Sequence, residues 1–142
     1  MNRDIGERWV RALRSGDYKQ GQGRLTRLNA DGTPASHCCL GVLCEIALKD
    51  GIVTAEEDNN GVSLARRYRG VDDNTVGYNY LPEAVMKWAG LEYSNPRVSV
   101  PAVGGMQQMR TTMAALNDER NYNFDQIATV IEEQLIPQEA AA

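Results

Sequence analysis

The residues of this chain best suited to chemistry by type and spacing lie in one run, Arg14-Ser15-Gly16-Asp17-Tyr18-Lys19-Gln20-Gly21-Gln22-Gly23-Arg24. Glycines at alternate positions let a backbone approach a ligand closely, and exposed N–H groups in such a turn form an anion-binding nest. Arg14, Lys19 and Arg24 supply charge to neutralise phosphate. Tyr18 in the run, with Tyr78 and Tyr80 on one face of a predicted strand, offers rings for a nucleobase, a contact worth about 1–3 kcal/mol per base. Arg14, Tyr18, Lys19, Gln20, Gly21, Gly23, Arg24, Tyr78 and Tyr80 are therefore the candidate ligand-binding set. The competing reading is an ordinary helix-to-strand connection with solvated cations, and tyrosines at the border of a small core. Gly21-x-Gly23 does not complete GxGxxG, and the loop runs from helix to strand, the reverse of the dinucleotide-binding order.

Other reactive side chains point away from catalysis. Cys38, Cys39 and Cys44 beside His37 invite a metal or nucleophile reading, but zinc sites space paired cysteines by at least two residues so that both converge on the ion. Vicinal cysteines on a helix diverge by about 100°. Their apolar setting raises a thiol's pKa, so they read as small buried hydrophobes, with a Cys-His nucleophile as the weaker alternative. A single histidine limits general acid-base chemistry, and HExxH, GxSxG and the phosphate-binding GxxxxGK[ST] run are all absent. The acidic runs Glu56-Glu57-Asp58 and Asp72-Asp73 read as solvated charge. No catalytic residue, metal ligand or cofactor is assigned.

Charge is divided along the chain. Residues 1–27 hold seven basic and three acidic side chains, a net of +4, while the remainder holds eight basic and sixteen acidic, a net of −8. Such a chain concentrates an anionic ligand at one place and, with a pI near 5.0, does not suit a reader of duplex DNA. Twelve of the fifteen cations are arginine, which favours forked contacts to phosphate or carboxylate. No run approaches the roughly 18 apolar residues of a membrane span, and the amphipathic amino terminus lacks the apolar centre of a signal peptide, so the expectation is a soluble cytoplasmic protein without membrane association.

The elements that must position these residues follow from periodicity. The 142 residues, 42% hydrophobic and 24% charged, make one domain, here residues 1–136 with a fraying tail at 137–142. Ile5, Trp9, Ala12 and Leu13 predict a helix over about 3–15, ended by Gly16. Ala30-Asp31-Gly32 predicts a hairpin turn with arms at about 24–29 and 33–37. Cys38 to Leu48 is apolar at nearly every position and reads as a central buried helix with Ser36 as its cap. Residues 54–73 read as charged and irregular, with a short helical turn near 64–68. Residues 75–80 alternate as a strand, Pro82 to Gly90 bound a helix with Val85 and Trp88 inward, and Val98 and Val100 mark an edge strand before Pro101. Met106, Met109, Met113 and Leu116 have helical spacing and read as core. Asn123 and Gln126 open a last helix whose stripe is Phe124, Ile127, Ala128, Ile131 and Leu135. The fold class is α+β, a single domain of four to five helices around a small antiparallel sheet.

Three groups of phrases carry a resemblance: Trp9-Val10-x-Ala12-Leu13-Arg14-Ser15-Gly16-x-Tyr18-x-Gln20-Gly21-x-Gly23-x-Leu25, Cys38-Cys39-Leu40-Gly41-Val42-Leu43-Cys44, and Leu116-Asn117-Asp118 with Phe124-x-x-Ile127-Ala128-x-x-Ile131-Glu132. Together they resemble a family of small proteins encoded by tailed bacteriophages and prophages. The resemblance covers most of the chain except 54–75 and brings no catalytic residues. It implies a viral accessory protein in the cytoplasm of an infected bacterium, of the kind that blunts host defence. With cations, backbone donors and aromatic rings but no catalytic machinery, the expected function is sequestration of an anionic nucleotide signal. The alternatives are a protein inhibitor of a host defence factor and a nucleotide-cleaving hydrolase, with homo-oligomerisation left open.

Overall fold

The computed structural model describes residues 1–59 and 64–138. Helix α1 (Arg3–Arg14) is capped by the side chain of Asn2, which accepts from the Ile5 N–H. Strands β1 (Thr26–Leu28) and β2 (Pro34–His37) form the expected hairpin, with Gly32 at positive φ in the turn. Helix α2 (Cys39–Lys49) follows, buried at nine consecutive positions from Cys39 to Ala47. A helix apolar on every side must be covered on every side. Helix α1 covers one flank, its Trp9 indole donating to the Cys39 carbonyl at 2.9 Å, and the main sheet covers another.

That sheet corrects the reading of 54–73. The segment is its longest pair of strands, β3 (Val53–Asn59) and β4 (Leu64–Gly70), antiparallel with Val53 opposite Gly70 and Glu56 opposite Arg67. No helical turn forms at 64–68. The charges belong to a ladder in which acids of β3 face arginines of β4, and such cross-strand pairs favour the strand. Residues 60–63 and 139–142 lie outside the described residues. The order is β2-β1-β4-β3, and β5 (Val76–Gly77) extends the line of β1 along β4. The strand expected over 75–80 is thus only two residues long, because Tyr78, Asn79 and Tyr80 are exposed and lead directly into Pro82.

Helix α3 (Glu83–Ala89) ends at Gly90 in the left-handed conformation, with Val85 buried and Trp88 half-buried. Strand β6 (Arg97–Pro101) pairs with β7 (Gln108–Thr112) in a separate two-stranded sheet. Here the methionine reading is overturned. Met106 is 99% exposed and Met109 is 40% exposed on the hairpin, while only Met113 and Leu116 reach the core, at the start of α4 (Met113–Asp118). Helical spacing was accidental, since Gly104 and Gly105 form a turn and the chain returns as a strand. Helix α5 (Phe124–Gln134) packs on α1 and carries the full capping box between Asn123 and Gln126. The start of the tail is tied down: Arg3 donates to the Pro137 carbonyl at 2.6 Å, and Gln138 donates to the Glu132 and Ile136 carbonyls. The architecture is α+β. No helix among the described residues is long and apolar enough to cross a membrane.

Candidate functional site

The glycine loop uses its polar groups internally. The Gly21 N–H donates to the His37 carbonyl at 2.7 Å, and a Cβ at Gly21 would overlap the Ser36 hydroxyl, so this glycine serves a close approach of two backbones. Gly23 takes φ +82° and donates its N–H to the Asp118 carboxylate at 3.2 Å. The donors proposed for a phosphate therefore already hold a carbonyl and a carboxylate of the protein. The organiser is Asn117, only 1% exposed and not singled out in the sequence. Its Oδ1 accepts from Gln20 Nε2 at 2.9 Å and from the Cys39 N–H at 3.2 Å, and its Nδ2 donates to the Gly21 carbonyl and to Asp118 Oδ1 at 2.8 Å each. Gln20 also donates to the Tyr122 carbonyl. This network, not Ser36, satisfies the first N–H of α2, which has no side-chain cap at Cys38.

The remaining candidates separate into three places. Arg14 lies in a hollow of about 550 Å³ between α1 and the end of α5, paired with Glu132 at 2.7 Å and bonded to Thr129. Arg24 lies on the sheet, paired with Asp58 at 2.8 Å and placed over the Tyr78 ring at 6.0 Å; Arg67 approaches the same ring at 6.0 Å. Arg67 and Arg69 share Glu56 and hold its carboxyl down to about 2. Tyr80 is exposed and makes no ring contact among the described residues. Arg24 and Tyr78 thus come together, but within a lattice of ion pairs that already balances most of its arginines.

Tyr18 and Lys19 line a different cleft, of about 460 Å³, bounded by the loop after α1, strand β2 and one face of α2. That volume suits a small ligand. His37 stands edge-on to Tyr18, with ring centroids 5.2 Å apart, and Lys49 donates to the Tyr18 hydroxyl at 3.2 Å. Glu45 and Lys49 also form its wall. They stand four apart on α2, the spacing that places two side chains on one helix face, which is the signal that sequence reading passed over. His37 is buried, with Nδ1 2.8 Å from the Thr26 hydroxyl, which is 2.7 Å from the Tyr68 hydroxyl. Burial first, and the Arg66 guanidinium second, lower the His37 pKa to about 4, so the ring is neutral at pH 7. Burial also pushes the Tyr68 phenol well up. Glu45 binds Arg66 through Oε1 at 2.9 Å, while its buried Oε2 has no hydrogen-bond partner among the described residues.

All three thiols are buried. Desolvation pushes Cys38 up to about 11 and raises Cys39 and Cys44 well above the ordinary range. Among the described residues no group of three or more His, Cys, Asp or Glu side chains is arranged to hold a metal ion.

Residues 1–135 match the family described as a domain of unknown function (DUF8296), and the chain belongs to that family. No curated protein and no solved structure matches it.

Proposed function

We propose that the protein binds and sequesters an anionic nucleotide, and that the ligand sits in the cleft of Tyr18, Lys19, His37 and Lys49. The observation that carries this reading is the placement of two aromatic rings in contact, Tyr18 and His37, between two exposed ammonium groups in one hollow of small-ligand size. The Tyr18 ring offers a face to a base, with His37 standing edge-on beside it, and ammonium groups neutralise phosphate. The reading keeps Tyr18 and Lys19 of the original set, adds His37 and Lys49, and leaves Arg14, Gln20, Gly21, Gly23, Arg24, Tyr78 and Tyr80 to structural roles or to the sheet surface. In the cytoplasm of a bacterium infected by a tailed phage, the setting that the sequence phrases suggest, removing such a signal from solution would blunt a defence response without any chemistry.

A second reading, inhibition of a host protein, is favoured by the β6–β7 hairpin, where Val103 is 87% and Met106 99% exposed. Exposed adaptable side chains of this kind suit a protein partner. One experiment separates these readings from the hydrolase alternative. The protein is incubated with cyclic nucleotides and ADP-ribose derivatives, then weighed by mass spectrometry before and after denaturation. Release of an intact ligand is expected. An altered ligand would mean catalysis, and no retention of any nucleotide would leave the protein-partner reading in its place.

A further inference from the structure

Resting on the reading of the cleft as a nucleotide site, we propose that the nucleobase enters it while the phosphate stays at its mouth, and that the base's Watson–Crick edge is read by the Nε2–H of His37 as donor and the carboxylate of Glu45 as acceptor.

The first support is a hydrogen-bond chain that fixes the histidine tautomer. Tyr68 is fully buried, and among the described residues its hydroxyl meets only the Thr26 hydroxyl, at 2.7 Å. A buried phenol hydrogen without an acceptor is costly, so Tyr68 donates to Thr26. Thr26, also fully buried, must place its own hydrogen, and the acceptor within reach is His37 Nδ1 at 2.8 Å. Nδ1 is then the acceptor, and the ring proton sits on Nε2. The opposite tautomer would leave the Thr26 hydrogen unplaced. With its pKa near 4, the ring at neutral pH offers one donor and no positive charge.

The second support is Glu45. Its side chain is 10% exposed, Oε1 is tied to Arg66, and Oε2 is buried without a hydrogen-bond partner among the described residues. A buried carboxylate oxygen without a donor is costly, and a base N–H that reaches Oε2 as the cleft wall yields would relieve that cost. The third support is the order of charge with depth. Glu45 and His37 are buried, whereas Lys19 and Lys49 are exposed at the rim. A phosphate placed inside would meet the Glu45 carboxylate, while one placed outside meets two ammonium groups. Each of the four common bases sets an N–H donor beside an acceptor on its Watson–Crick edge. A nucleoside phosphate fits this pattern; a sugar phosphate lacks the edge.

The test titrates AMP, GMP, CMP and UMP into the full-length protein, together with ribose 5-phosphate and the analogues 1-methyl-AMP, 1-methyl-GMP, 3-methyl-CMP and 3-methyl-UMP. At least one mononucleotide binds, its edge-methylated analogue binds roughly ten- to a hundredfold more weakly, and ribose 5-phosphate is weaker still, by the worth of hydrogen bonds to a charged group and of base stacking. Glu45→Gln weakens the same mononucleotide about tenfold. Thr26 acts through His37 as a positioning residue, and its readout is separate: the ¹⁵N shifts of the chain's single histidine show the Nε2–H tautomer in the wild type and lose it in Thr26→Val. A mononucleotide that binds as tightly with its edge methylated, or a histidine found as Nδ1–H, overturns the base-inward proposal while leaving the cleft as a nucleotide site. Binding of none of the four mononucleotides overturns the base-inward proposal, and if cyclic nucleotides and ADP-ribose derivatives are not retained either, the cleft as a nucleotide site falls with it.

Discussion

Burial and the neighbouring Arg66 guanidinium lower the pKa of His37 to about 4, whereas in an unfolded chain histidine titrates near 6.5. The folded state therefore binds fewer protons than the unfolded state between these values. The stability this group protects is fully present above pH 6.5 and is lost as pH falls towards 4, by up to about 3 kcal/mol. Urea midpoints measured from pH 8 to pH 4 are expected to fall through this window, and His37→Gln to flatten the fall. Glu56, held down to about 2 by Arg69 and Arg67, loses its contribution as pH falls from the ordinary carboxylate value near 4.5 towards 2, so most of its fall lies below the His37 window. At the same scale, Cys38, Cys39 and Cys44 are expected to resist a thiol reagent at pH 7 until the chain is unfolded, because burial disfavours each thiolate. Labelling of native protein within seconds would contradict that. Residue types alone placed Tyr18 and Lys19 among the candidates and marked the three cysteines as buried. Glu45 and Lys49 were not among them, because their meaning comes from the strand and loop that face them.

Two positions hold the elements in register. A Cβ on Gly41 of α2 would overlap the carbonyl of Leu25, so the helix lies directly against the backbone entering β1. Gly41→Ala is expected to cost several kcal/mol or abolish folding, since backbone cannot yield as a flexible side chain can. Asn117 joins the glycine loop, the start of α2 and α4 through four hydrogen bonds. Asn117→Ala leaves several buried groups unpaired and is expected to lower the denaturant-derived stability by about 3–5 kcal/mol. A loss below about 1 kcal/mol would mean that water replaces the network. Periodicity made α1 and α5 readable, an unbroken apolar run made α2 so, and the Asp31-Gly32 turn gave the β1–β2 hairpin. Strands β3 and β4 were not readable, because Glu56-Glu57-Asp58 and Arg66-Arg67 look like solvated charge until each strand is set opposite the other. Likewise, Met106, Met109 and Met113 matched a helix only because a glycine turn and a strand happened to span the same spacing.

For the whole molecule, the division of charge along the sequence does not survive folding as one basic patch. Of the seven cations of residues 1–27, Arg8 pairs with Asp50, Arg14 with Glu132 and Arg24 with Asp58, while Lys19 lines the cleft. Arg14→Ala and Arg24→Ala are therefore expected to leave nucleotide binding nearly unchanged, and Tyr18→Ala or Lys49→Ala to weaken it by about tenfold or more, as loss of a stacking ring or a charge-assisted contact requires. The most direct measurement is an amide chemical-shift map of the labelled protein as a mononucleotide is added. Shifts are expected to concentrate at residues 17–19, 34–37 and 45–49. Shifts confined to the Arg24, Arg67 and Tyr78 surface or to the β6–β7 hairpin, or no shifts at millimolar concentration with any mononucleotide, cyclic nucleotide or ADP-ribose derivative, would contradict the assignment of the cleft.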